Sequence, residues 1–304
     1  MTKNKYDRHH KPFGNAFAIA DPHVLAVLNN PLNVLKAIED NDIPTMFLDT
    51  YRAWIQSTKN NTVIGLDEFP YACFTNGTTE AFDKFYAKHS TRRFRFFKGE
   101  FVYHRLSCRN NGYDWAYIED SKLDKNDVVI ISLPFSDTGN KHEQLDFILH
   151  NCSVLGIPVL LDCAYYGVCS DIDINLTYPC IKEVTFSLSK TFYSAYLRIG
   201  MRLTREDDDD PLFVTNKMGY INRPSAQIGL TLLENFSPDY IYDTYRIRQL
   251  EYCTILELEP SNCVLFGIGD ERWNDYNRDR ATNRLSFHKF LATDCHEEIR
   301  NEKR

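Results

Sequence analysis

The sequence predicts an α/β protein, a three-layer α/β/α arrangement around a mostly parallel central sheet, with a small α+β domain at the C-terminal end. Three observations predict it. The runs "DVVIISL" (127–133), "IPVLLD" (157–162) and "EVTFSLS" (183–189) are short and rich in β-branched and aliphatic residues, as strands covered on both faces are. Helix-patterned segments, "TEAFDKFYAKHS" (79–90) and "KHEQLDFILHNCSVLG" (141–156), alternate with such runs. Each strand then leads into a polar stretch, at 75–79, 133–139, 162–165 and 187–190. Ligands of parallel sheets gather at these C-terminal strand ends.

Taken in order, residues 1–60 read as an arm followed by a helix over "IPTMFLDTYRAWIQS" (43–57), where Met46, Tyr51, Trp54 and Ile55 fall near helical spacing. Residues 61–220 form the large domain. "YACF" (71–74) is a strand ended by "TNG", the helix over 79–90 follows, and "FRFF" (94–97) is the next strand. "REDDDD" (205–210) reads as a solvated acidic loop. Residues 221–304 hold a connecting helix and a small C-terminal domain. Pro224 suits a helix N-terminus, the helical pattern breaks near Pro238 and runs on to Leu258, and "CVLFGIGD" and "NRLSFHKFL" read as two strands.

Composition narrows the function. Hydrophobic content of 43% and charged content of 25% are those of a globular protein. A net charge of −7 argues against general nucleic-acid binding, which needs a basic face. No apolar run approaches the roughly 20 residues of a membrane span, and "MTKNKYDRHHKPFG" lacks the apolar core of a secretory signal. The nine dispersed cysteines form no C-x-x-C pair and read as reduced thiols of a cytoplasmic protein. His9 and His10 are a weak metal motif, and no metal is expected.

The strand ends carry the chemistry. "TNGTTEA" is a strand, a glycine turn and a helix start: Gly77, Thr78 and Thr79 can cradle a phosphate or simply cap the helix. Asp162 ends an apolar strand, where a carboxylate needs a partner, either a structural one or a cationic ring nitrogen. Tyr165, three residues on, reaches an oxygen of the same ligand. Lys190 lies among apolar neighbours, which depress an amine pKa and make it a candidate nucleophile. Ser187 and Arg198 supply oxyanion donors. A phosphate cradle, a carboxylate for a ring nitrogen, a phenol for a ring oxygen and a reactive lysine together describe a site for pyridoxal 5'-phosphate.

On the stretches "TNGTTEA", "GEFVYH", "LPFSDTG", "LLDCAYYG", "SLSKTFYSAYLRIGMRL" and "NRLSFH", in that order over about residues 70–290, the chain resembles the fold-type I pyridoxal-phosphate enzymes, specifically the class I/II aminotransferases. The resemblance implies that Lys190 forms the Schiff base with the cofactor and moves the substrate's α-proton. It implies that Asp162 pairs with the pyridinium nitrogen and that Tyr165 bonds the phenolic oxygen. Gly77, Thr78, Thr79, Ser187 and Arg198 would hold the phosphate. Phe101 would stack on the ring, its alternative being core packing. Arg284 would clamp the substrate α-carboxylate, its alternative being a surface arginine. Ser136 stands where the family carries an asparagine, so its contact to the phenolic oxygen is lost or bridged by water. The chain is short for the family at both ends. The family is typically homodimeric, and Asn222 and Arg223 resemble the segment that reaches the neighbouring site.

The implied activity is transfer of an amino group between an α-amino acid and a 2-oxo acid. Decarboxylation, β/γ-elimination or racemisation on the same scaffold is the alternative, and a non-catalytic scaffold protein a third reading. No nucleic-acid or membrane partner is expected.

Overall fold

The computed structural model describes residues 11–207, 210–278 and 282–293. His9, His10 and Cys295 lie outside them. The N-terminal segment folds into three helices, α1 (Pro22–Leu28), α2 (Val34–Glu39) and α3 (Ile43–Gln56). The apolar face of α3 buries Phe47, Tyr51, Trp54 and Ile55. Burying such side chains stabilises by about 1.5–3 kcal/mol each. Polar bonds pin the helix as well: Trp54 Nε1 donates to the Phe236 carbonyl at 2.7 Å, and the Ile55 carbonyl accepts from Tyr166 Oη.

After a short strand, β1 (Thr62–Ile64), the large domain runs β2 (Tyr71–Thr75), α4 (Thr78–Lys88), β3 (Arg93–Phe96), α5 (Val102–Asn111), β4 (Trp115–Tyr117), β5 (Asp127–Ser132), α6 (Leu145–Leu155), β6 (Val159–Cys163), β7 (Asp173–Asn175), β8 (Ile181–Ser187) and β9 (Gly200–Thr204). Seven of these strands form one sheet in the order β2-β9-β8-β6-β5-β3-β4. All are parallel except β9, which runs against both its neighbours. The expected α/β architecture is therefore the observed one. β5 and β6 are buried along their whole length, as their mostly apolar runs require of a sheet with helices on both faces.

Helices α7 (Pro211–Lys217), α8 (Arg223–Asn235) and α9 (Tyr240–Leu256) follow, α8 packing on α3, and β10 (Glu259–Pro260), β11 (Phe266–Gly269) and β12 (Asn283–Ser286) make the small antiparallel sheet. Gln249, fully buried on α9, donates to the carbonyls of Ser261, Cys263 and Phe266 and ties that sheet down. Among the described residues no helix is long and apolar enough to cross a membrane.

Three sequence readings change. The helix expected over 141–156 starts only at Leu145, because His142 stacks on Phe97 at 3.7 Å and its Nδ1 accepts from Gln144 N–H. The strand expected to run to 189 stops at Ser187, whose Oγ accepts from Ser189 N–H and curls the chain, so Lys190 sits in a turn beyond the strand. The acidic loop is not wholly solvated. Asp210 caps α7 by accepting from Leu212 and Phe213 N–H, and it also takes a hydrogen bond from the buried Arg202. Asn222 and Arg223 are used within the chain. Asn222 caps α8, and Arg223 donates to the carbonyls of Ile38 and Asp40.

Candidate active site

The C-terminal ends of β2, β3, β5, β6 and β8 lie on one edge of the sheet, and beside them opens a cleft of about 390 Å³. Lys190, Tyr165, Phe101, Ser136 and Arg284 all line it. Gly77, Thr78, Thr79, Ser187 and Arg198 form a neighbouring group at the ends of β2 and β8. Asp162 stands between the two groups, near the end of β6.

The phosphate-like group is built by local geometry. Gly77 precedes α4 with φ 76° and ψ 173°, a conformation that is essentially restricted to glycine. The first turn of α4 starts without a side-chain cap and presents backbone N–H groups beyond Gly77. Arg198 closes the opposite side. Its own backbone is left-handed (φ 55°), its guanidinium donates to Thr79 Oγ1 at 3.0 Å, and a Cβ on Gly77 would collide with that guanidinium. Ser187 Oγ donates to the Ile199 carbonyl at 3.1 Å, and Ser189 joins it at 2.8 Å. Donors of this kind, gathered with a helix N-terminus, suit an oxyanion. Gly77→Ala is expected to weaken pyridoxal-phosphate uptake by about tenfold, because an L side chain there costs about 1–3 kcal/mol and displaces Arg198. Fluorescence titration checks it, and unchanged affinity would remove Gly77 and Arg198 from the site.

Asp162 is 4% exposed, and its Oδ1 accepts from Ala164 N–H at 3.1 Å. Burial, and then the nearby Glu100 carboxylate, push its pKa up to about 8, against the pull of Lys190. Such a buried acid lacks a full-time cation and suits a cationic ring nitrogen. Burial, followed by repulsion from Arg284 and Arg278, brings the Lys190 amine down to about 8. Lys190 Nζ donates to the Ala16 carbonyl and lies 5.8 Å from the centre of the Tyr165 ring. The N-terminal arm thus reaches the cleft. It is anchored by Phe13, which packs among Trp273, Tyr276, Phe287 and Phe290 and whose carbonyl accepts from Ser286 N–H.

Tyr165 is buried, packs edge-on against Phe266, and has its pKa raised by burial. Phe101 is 38% exposed on the cleft wall, so it is not a core ring. Arg284 is 6% exposed, so it is not a surface arginine. Its guanidinium lies 4.2 Å over the Phe266 ring and donates to the Ser136 carbonyl, while its Nε is buried without a partner. The loop carrying Ser136 is held against the small sheet: Ser261 Oγ donates to the Thr138 carbonyl, and Asn140 Oδ1 accepts from Asn262 N–H at 2.7 Å. At Gly139 (φ 75°) the loop passes so close to Cys263 that no Cβ fits.

Sequence reasoning missed Glu100, Arg105, Tyr117 and Arg278, which also line the cleft. Glu100 is 8% exposed. Its carboxylate accepts from the N–H and Oγ of Ser132 and from Phe101 N–H, and burial pushes its pKa up to about 7. Ser132 is the register partner of Asp162 across β5 and β6, so the loop carboxyl of Glu100, bonded to Ser132, is held beside the strand that carries Asp162. The only signal for Glu100 was its place inside "GEFVYH". Among the described residues no group of three or more His, Cys, Asp or Glu could hold a metal ion, and the eight described cysteines are free and buried.

This three-layer fold with its small appended sheet is that of fold-type I pyridoxal-phosphate enzymes. An aminotransferase from Neisseria meningitidis superposes with a TM-score of 0.70 over 95% of this chain and 90% of its own, at 11% identity. The histidinol-phosphate aminotransferase of Clostridium acetobutylicum gives 0.64 over 96% and 98%, at 14% identity. A pyridoxal-phosphate-bound C–S lyase from Staphylococcus hominis gives 0.67 over 94% and 86%, at 11% identity. No protein-family model and no curated protein matches the sequence.

Proposed function

We propose that the chain is a pyridoxal-phosphate-dependent aminotransferase that moves an amino group between an α-amino acid and a 2-oxo acid, and that it works as a cytoplasmic homodimer. One observation carries the reading: a half-buried lysine with a lowered pKa shares a cleft with a buried arginine, beside a buried carboxyl and a group of oxyanion donors. The residues fit the cofactor, because Gly77 lets the Arg198 guanidinium come up against the start of α4, where a side chain would block it, and Asp162 lacks a full-time cation of its own. Gly77, Thr78, Thr79, Ser187 and Arg198 would hold the phosphate, Asp162 the ring nitrogen and Tyr165 the ring oxygen, with Ser136 beside it. Phe101 would cover a ring face.

When bound, the cofactor supplies an aldehyde carbon that joins an amine and a ring that draws electrons from the substrate's α-carbon. The protein does the rest. Arg284 clamps the α-carboxylate as a planar fork and fixes which α-bond faces the ring. Lys190 Nζ, half neutral near pH 8, can take the substrate's α-proton and hold it within the cleft for its return. The arm at Ala16 and the wall at Phe101 narrow the access of water.

Loading the protein with pyridoxal phosphate and adding single L-amino acids without an oxo acid tests the reading. One equivalent of the matching 2-oxo acid per site, with the cofactor recovered in its amine form, is the expected result. Release of ammonia, sulfide or carbon dioxide with the aldehyde form retained would favour the second reading, an elimination or decarboxylation, which likeness in fold to the C–S lyase keeps in view.

A further inference from the structure

We propose that Glu100 is a positioning residue of the site: through Ser132 it fixes the Phe101 wall and the Ser136 loop relative to each other, and so aligns the ring face with the arginine that takes the substrate carboxylate. The inference rests on the amino-transfer reading for the roles of Phe101 and Arg284, and it adds a residue to which that reading gives no part. Glu100 lies between β3 and α5, is buried and lines the cleft. Its Oε1 accepts from Ser132 N–H at 2.8 Å, and its Oε2 accepts from Ser132 Oγ and from Phe101 N–H, the latter at 3.3 Å. A carboxylate is an acceptor-only group, and three donors converge on this one.

The donors join two walls of the cleft. Phe101 opens α5, whose start has no side-chain cap, and it lines one wall. Ser132 ends β5, and its hydroxyl works in both directions: it donates to Glu100 and accepts from Ser136 N–H at 2.8 Å. Ser136 in turn offers its carbonyl to Arg284 Nη1. Phe101, Glu100, Ser132, Ser136 and Arg284 are therefore linked by one continuous chain of hydrogen bonds. The base of the same loop is tied to the strand that carries Asp162, because Leu133 N–H donates to the Asp162 carbonyl at 2.9 Å. Packing alone does not call for an acid here. A carboxylate is costly to bury without a cation, and the hydrogen bonds to Glu100 come from neutral groups. An apolar side chain would fill the space without that cost. Holding two walls of the cleft together accounts for the acid's place.

Affinities for ligands that do not react test this apart from the chemistry. Valerate, a monocarboxylate with no amino group to give, reports on Arg284 in the cofactor-loaded protein by calorimetry. Fluorescence titration of the unloaded protein reports on pyridoxal phosphate itself. Glu100→Ala is expected to weaken both by about fivefold or more, since it leaves Ser132 and Phe101 without their acceptor. Ser132→Ala, which keeps the backbone bond to Glu100, should weaken valerate several-fold and the cofactor less, and it serves if the Glu100 variant does not fold. Glu100→Gln, which keeps the length of the side chain and an acceptor for Ser132 N–H, should restore most of what alanine loses. A Glu100→Ala protein that melts earlier but binds both ligands as the wild type does would make Glu100 a structural residue and overturn the proposal. Unchanged valerate affinity in Ser132→Ala would overturn it too. So would a glutamine variant as weak as alanine, since charge and not placement would then matter. None of these readouts involves amino transfer. The expected affinities with no 2-oxo acid formed from any L-amino acid would keep Glu100 as a positioning residue of a carboxylate-binding cofactor site and overturn the transfer reading instead.

Discussion

Replacing Lys190 by alanine is expected to slow amino transfer by a factor on the order of 10³–10⁴ or more, since one side chain supplies both the covalent tether and the proton carrier. The two jobs separate by measurement. Borohydride reduction of the loaded wild type should leave the cofactor's mass on the peptide containing Lys190, and the alanine variant should keep none. Only the neutral amine attacks an aldehyde. With the lysine lowered to about 8, the rate of covalent capture should climb about tenfold per pH unit below pH 8 and level off above it. The sign follows from burial and from Arg284 and Arg278, which all favour the uncharged form. An unperturbed lysine would still be climbing at pH 10. The variant should fold, because the removed amine was poorly solvated and bonded only weakly by comparison with a paired charge. Turnover at the wild-type rate would sink the assignment of Lys190.

The second large effect concerns folding. Arg202 on β9 is fully buried and donates Nε and Nη2 to both oxygens of the equally buried Glu183 on β8, at 2.8 and 2.9 Å, with Asp210 as a further partner. Glu183→Ala should destabilise the protein by about 3–5 kcal/mol, because it strands a buried guanidinium. In a thermal melt this corresponds to a drop of roughly 10 °C. A Glu183→Ala, Arg202→Met pair should recover part of the loss, since it removes both buried charges and leaves only the more exposed Asp210 and Lys88 without them. A Glu183→Ala variant as stable as the wild type would mean that water or Asp210 alone satisfies Arg202. The site should feel this change indirectly: β8 and β9 carry Ser187 and lead from Arg198, and a shift between them moves the phosphate donors.

The strand–turn–helix blocks were legible because their information is local. A mostly apolar run of five or six residues means a strand with two covered faces. A glycine followed by threonines and a helical pattern means a helix start, and a lysine among apolar neighbours means a strained amine. Lys190, Tyr165, Phe101, Ser136 and Arg284 could therefore be named from the chain, and they line one cleft.

The antiparallel strand β9 was not legible. Its "GMRLT" carries a charge in mid-strand that only the facing Glu183 makes tolerable. Nor was the acidic loop, whose last aspartate caps a helix and joins that same pair. Glu100, Arg105, Tyr117 and Arg278 have no common spacing and come from three separate segments. Their meeting depends on which strands lie next to each other and on a register that sets Ser132 beside Asp162.

By itself, then, the sequence determined the alternation of elements and the parallel sheet and singled out Lys190 as the candidate reactive amine, because each rests on residues within about ten positions of one another. Only the tertiary structure decided how charge is distributed in the cleft and that the N-terminal arm reaches Lys190 through the Ala16 carbonyl. Those contacts span most of the chain. Burial and electrostatics, which act across space and not along sequence, set them.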